Sequence, residues 1–193
     1  MRRIRLDRID RRILRNLLTD GRMTNVELAR RVGISAPPCL RRVRALEEAG
    51  MIRGYHADLA PEPLGYAVTV FAQVGLGSQA EADLKAFEHL VGTWPEVREA
   101  YMLAGETDFL LKIVAPDWDS YQRFLSTKLT SAPNVSHVKS ALMLRMSKNE
   151  PGVPILEQSN ARQDDERPRR RLLDFQSHIR RDRPQHLREG TRS

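Results

Sequence analysis

Apolar residues in the first fifty positions recur at intervals of three and four, the spacing of helices that bury one face. Leu6, Ile9, Ile13, Leu14, Leu17 and Leu18 make a first stripe, with Asp7 or Asp10 placed to cap it and Asp20-Gly21 to stop it. Thr24 opens a second short helix, Glu27 completes a capping box, and Val26, Leu28, Ala29 and Val32 supply the buried side before Gly33. Ser35 then caps a third helix with Pro37 and Pro38 in its first turn, where a missing amide costs little. Its stripe, Leu40, Val43 and Leu46, leaves Arg41, Arg42 and Arg44 directed outward, and a short strand over 51–55 is expected after Gly50.

The pattern changes after residue 65. Residues 66–74 are β-branched and aromatic, a strand, and Leu84, Phe87, Leu90, Val91 and Trp94 follow at helical spacing until Pro95 forbids continuation. Runs at 97–103 and 109–114 flank the turn-forming residues 104–108. A second helix has Trp118, Tyr121, Phe124, Leu125 and Leu129 facing inward, and 135–146 makes the last strand. The order β, α, β, β, α, β implies a ferredoxin-like antiparallel sheet with both helices on one face. The strands are apolar on both faces, Phe71 opposite Val70 and Leu110 opposite Leu111, so the uncovered face is expected to meet a second copy in an isologous dimer.

Charge sorts the parts. Residues 1–64 hold 14 arginines and no lysine against 8 acids, whereas residues 65–149 hold 8 basic against 9 acidic side chains. The first third therefore carries the signal for a polyanionic partner, within a chain of net charge +7. Three short helices around a glycine turn, the third bearing arginines, are the parts that a major-groove reader of double-stranded DNA needs. The expected organisation is α+β: a helix-turn-helix over 1–60, the sheet domain over 65–148, and a mostly disordered basic tail over 150–193. No apolar run is long enough to span a bilayer, and the single cysteine, Cys39, excludes an internal disulfide or thiolate metal cage, so a cytoplasmic protein with no cofactor, metal or membrane partner is expected.

These residues resemble the Lrp/AsnC, or feast/famine, family of transcription regulators over about 4–148. The resemblance rests on the run Asp7 to Leu14, Asp20-Gly21-Arg22, residues 25–29, Val32-Gly33-Ile34-Ser35, Pro38-Cys39-Leu40, Arg42-Val43, Gly50-Met51-Ile52, and Gly105-Glu106-Thr107-Asp108-Phe109 in the second domain. It implies a winged helix-turn-helix joined to an amino-acid-sensing domain, with dimers assembling to octamers or higher and a small effector bound where dimers meet. The family's DNA contacts fall on Ser35, Ala36, Pro37, Arg41 and Arg42, beside which Arg44 is this chain's own candidate. Its effector contacts fall on Met102, Gly105, Thr107 and Asp108, with Trp118 and Leu142 as candidate walls. Turn amides suit the effector's carboxylate, and Asp108 either pairs with its ammonium or fixes the turn. Ala45 stands where many relatives have arginine, and the arginine-rich tail has no counterpart at the usual family length.

A few Lrp-like proteins decarboxylate tetrapyrroles, so an enzyme is the alternative to a regulator. His89 and His137 are separated along the second domain, no catalytic or phosphate-loop motif occurs, and the basic first domain favours the regulator.

Overall fold

The computed structural model describes residues 5–150 and 152–156, and these form two compact units. The first comprises residues up to Leu59 together with a returning segment from Ser147; the second begins at Ala60 and ends at Met146. The expected disordered tail lies outside the described residues from 157 onward, but residues 152–156 belong with the first unit.

The first unit contains α1 (Arg8–Thr19), α2 (Asn25–Val32) and α3 (Ala36–Glu48). Asp7 caps α1 in a capping box, its side chain accepting from the Asp10 amide while Asp10 accepts from the Asp7 amide. Thr24 caps α2 through the Glu27 amide, and α2 ends at Gly33, whose φ of 79° is a left-handed conformation that glycine adopts without strain. The expected return bond from Glu27 is absent, because Arg30 and Arg31 hold its carboxylate at 2.6 and 2.7 Å. Ile13, Leu28, Ala29, Val32, Cys39, Val43 and Leu46 form the core, with Ile52 and Ile155 packed against its edge.

Three expectations fail here. Leu40, expected inward, is 39% exposed, while Cys39 beside it is fully buried, as a small hydrophobe at that position should be. Val26 is 71% exposed, since Leu28, Ala29 and Val32 already fill the inward face of so short a helix. No strand forms at 51–55: the amides of Met51 and Ile52 both donate to the Leu46 carbonyl, which closes α3 and leaves the segment without a ladder partner.

The second unit runs β1 (Val68–Leu76), α4 (Glu81–Gly92), β2 (Val97–Met102), β3 (Phe109–Ala115), α5 (Trp118–Phe124) and β4 (Val135–Leu142), with a π-helical turn, Leu125–Leu129, closing α5. The sheet order is β2-β3-β1-β4, antiparallel throughout, as the ferredoxin-like arrangement requires. Val70, Ala72, Val74 and Leu76 of β1 and Phe109, Leu111, Ile113 and Ala115 of β3 pack on Phe87, Val91, Tyr121 and Phe124 of the helices, with Trp94 edge-on to Phe124. Trp118 is half-exposed rather than inward, lying on the first turn of α5 against Tyr121.

The opposite sheet face is mixed, not uniformly apolar. Its centre is apolar, with Phe71, Leu110 and Val114 half-buried, while its margins carry Gln73, Lys139 and the pair Lys112–Glu99 at 2.8 Å. No helix among the described residues is long and apolar enough to cross a membrane.

Candidate nucleic-acid interface and effector loop

On α3 the core positions Cys39, Val43 and Leu46 fix which side faces out. Pro37, Leu40, Arg41 and Arg44 share that exposed side at helical spacing, with Ala45 beside them. Among the described residues neither Arg41 nor Arg44 has an ion-pair partner. Ser35 stands at the N-cap with extended backbone, yet its hydroxyl makes no capping bond, so it remains available at the positive end of the helix. Ala36 packs toward the core and its carbonyl accepts from Asn25 Nδ2 at 2.8 Å, which takes it out of the exposed surface.

Arg42 does not project outward. Its Nη1 donates to Asp7 Oδ2 and to Asp10 Oδ1, each at 2.7 Å, tying α3 to the N-terminus of α1. Burial pushes the Asp7 carboxyl up, but the Asp10 amide and the Arg42 guanidinium outweigh it and hold the carboxyl below its ordinary value. The expected outward orientation of Arg42 is therefore corrected: its charge is held by two carboxylates, one of them nearly buried. On α1 and α2 the arginines are also partly engaged, Arg12 with the Arg31 carbonyl and Arg30 with Glu27, whose carboxyl the two α2 arginines hold down to about 2. Burial pushes the Cys39 thiol up, the direction of an inert packing residue.

In the second unit the loop between β2 and β3 is held at both ends. The Leu103 amide donates to the Asp108 carbonyl at 2.8 Å and the Asp108 amide to the Val74 carbonyl at 3.0 Å. The Asp108 side chain is buried; Oδ2 accepts from the Leu76 amide at 2.7 Å and Oδ1 from Gln79 Nε2 at 2.6 Å. Because β3 begins only at Phe109, Asp108 supplies the acceptor that a longer ladder would have given Leu76. Each oxygen thus accepts a hydrogen bond from within the chain, and the side chain ties the turn to the end of β1. Between those anchors the amides of residues 104–107 donate to nothing among the described residues, and a Cβ at Gly105 would meet nothing within 4 Å. Met102, 58% exposed, lies beside them.

Trp118 and Leu142 are elsewhere. Met102 pairs with Phe109 and Leu142 with Val70, which itself pairs with Ile113. That register places them on opposite edge strands and four residues apart along the sheet, a diagonal of roughly 20 Å. One chain therefore does not bring all six expected effector residues together. Sequence reasoning missed Leu40 as an exposed apolar side chain on the arginine face of α3 and Gln79 as a partner of Asp108; no local pattern marks either.

Comparison with known proteins adds to this geometry. Residues 69–153 match the Lrp/AsnC ligand binding domain, and residues 6–53 a winged helix-turn-helix DNA-binding domain. The chain is 56% identical over 147 residues to the leucine-responsive regulatory protein of Rhizobium meliloti (strain 1021), covering 76% of this chain and 94% of the relative. It is 44% identical to the Bkd operon transcriptional regulator of Pseudomonas aeruginosa, covering 72% of this chain and 92% of that one. Among solved structures, a transcriptional regulator from Neisseria meningitidis in complex with L-Met superposes with a TM-score of 0.74 at 37% identity, over 78% of this chain and 97% of that one.

Proposed function

The chain belongs to the Lrp/AsnC family of DNA-binding, amino-acid-responsive transcription regulators, and from that premise we propose which of its residues read DNA and which receive the effector. The relatives are regulators, not enzymes, and the tetrapyrrole-decarboxylase alternative is set aside on that ground.

The observation that carries the DNA site is the exposure of Arg41 and Arg44 on one face of α3 while Arg42 is tied inward. Arg41 and Arg44 reach guanine edges or phosphates in the major groove, each good bidentate pair giving about 1 to 3 kcal/mol of discrimination. The Ser35 hydroxyl and Pro37 seat the helix start against the backbone, and Leu40 offers an apolar contact to a thymine methyl.

For the effector, the uncommitted amides of residues 104–107 receive the carboxylate of an amino acid, Gly105 and Thr107 leave room for it, and exposed Met102 takes an apolar side chain. The Neisseria relative with its bound L-Met and the leucine-responsive names of other relatives favour an apolar L-amino acid. Trp118 and Leu142, too distant within one chain, line the site from an adjoining copy. Effector binding is then linked to assembly, because only a ligand with unequal affinity for two assemblies shifts them. Copies pair through the uncovered sheet face and associate further in the cytoplasm.

Thermal-shift screening against the twenty amino acids tests this. A true effector at 100 times its Kd stabilises by about 2.7 kcal/mol and changes the sedimentation profile. No shift with any of the twenty would overturn the effector reading, and binding with no change in assembly would overturn the linkage.

A further inference from the structure

Among the described residues two aspartates, Asp10 and Asp108, are buried, and they are met differently. Asp10 faces the Arg42 guanidinium. Asp108 accepts only from neutral donors, the Leu76 amide at 2.7 Å and Gln79 Nε2 at 2.6 Å, and among the described residues no lysine, arginine or histidine pairs with it. A buried carboxylate without a counter-charge favours a cation that arrives from outside.

The two neutral contacts are unequal. The Leu76 amide is the last of β1 and stays where the strand ends. Gln79 lies on the exposed connection between β1 and α4, and its side chain is anchored only at Asp108. The backbone beside it is clipped by Asn134, which accepts from the Ser78 amide at 2.8 Å and donates to the Ser78 carbonyl at 2.9 Å. The Gln79 carboxamide can therefore swing into water while the chain that carries it stays in place.

We propose that Gln79 is a removable cover on Asp108: the α-ammonium of an amino-acid effector replaces Gln79 Nε2 on Oδ1, while Oδ2 keeps the Leu76 amide. This deepens the effector reading above and rests on it, since the carboxylate of the same ligand goes to the amides of residues 104–107 in the turn that Asp108 closes. An α-amino acid carries both charged groups on one carbon, so one small ligand satisfies the donors of the turn and its acceptor together. The exchange favours binding because a charge-assisted hydrogen bond is roughly twice as strong as a neutral one, and the displaced carboxamide is rehydrated. It also sets selectivity. A ligand with a carboxylate but a neutral hydroxyl in place of the ammonium offers Oδ1 nothing that Gln79 does not already supply.

The test measures binding of L-leucine and L-methionine, each beside its α-hydroxy analogue, to the full chain by titration calorimetry. The wild-type chain should prefer the amino acids by about tenfold or more. Gln79→Ala removes the competing donor and should tighten both amino acids by about threefold, leaving the hydroxy acids unchanged. Gln79→Lys, one bond longer, sets a permanent ammonium against Oδ1 and should weaken the amino acids by about tenfold with no fall in melting temperature. Equal or weaker amino-acid binding in a Gln79→Ala protein that melts like wild type overturns the cover and makes Gln79 a support of the turn. Unchanged affinity in Gln79→Lys overturns the exchange at Oδ1, and loss of the amino-over-hydroxy preference in Glu106→Gln would give the ammonium to that exposed neighbour instead. If neither amino acid binds the wild-type chain, the effector reading itself fails and the proposal with it.

Discussion

Arg42 Nη1 lies 2.7 Å from Asp10 Oδ1, and through this contact α3 is fastened to the first turn of α1. Asp10 is itself nearly buried, so removing the guanidinium leaves a carboxylate with its main counter-charge gone.

Arg42→Ala should accordingly lower the stability of the first unit by about 1 to 3 kcal/mol, seen as an earlier thermal transition. Where the variant is still folded, its salt slope on DNA should match wild type. Arg44→Ala should do the reverse, with melting unchanged, affinity reduced and the slope smaller by about 1. A shallower slope with normal melting in Arg42→Ala would return that residue to the DNA surface.

Acid should loosen the same unit. Asp7 and Glu27 both have carboxyls held below their ordinary values of 3.8 and 4.5, so each favours the fold only when ionised. Their contribution is fully present above about pH 4.5 and disappears as the pH falls, for Glu27 through about 2. In denaturant titrations at low salt, Glu27→Gln should differ from wild type at neutral pH and converge with it near pH 2. An equal gap at both pH values would show that the Arg30 and Arg31 pairing contributes nothing.

In the effector loop, Asp108 and Gly105 should separate structure from binding. Asp108→Ala strands the Leu76 amide and should cost about 1 to 3 kcal/mol of stability, with effector response lost alongside. Gly105→Ala meets open space and should melt within about 0.5 kcal/mol of wild type while weakening the amino-acid response at least tenfold. A Gly105→Ala protein that responds normally would move the ligand away from this loop.

The uncovered sheet face gives a fourth test. Phe71 and Leu110 sit at its centre, both half-buried. Phe71→Asp should convert the assembly to monomer at micromolar concentration in sedimentation velocity, leaving the circular dichroism of the fold intact. An unchanged sedimentation coefficient would place the contact between copies on another surface.

The order of elements could be read from the chain because periodicity and breakers agreed: Pro95 and the Pro133-Asn134 pair bound helices whose apolar spacing was clear. Individual orientations were less legible. Cys39 reads from the sequence as a small buried hydrophobe and is buried, but its neighbour Leu40 fits the same stripe with Val43 and Leu46, so periodicity alone does not show that Leu40 is the one left out. Arg42 looked outward because its partners, Asp7 and Asp10, are more than thirty residues away in sequence. The role of Asp108 depends on where β3 begins relative to Leu76, a register no local pattern encodes. Trp118 illustrates the converse, an aromatic residue at a helical spacing that the short first turn of α5 leaves half outside.

The two rims of the sheet have a bearing on how far self-association can go. β2 ends the sheet on one side with Arg98 and Glu99, β4 on the other with His137 and Lys139. A stranger's strand seeking to lengthen the sheet would have to bring its own backbone alongside these ionisable groups and strip water from them. Growth by edge accretion is thereby discouraged, and the broad face is the surface left open to a second copy.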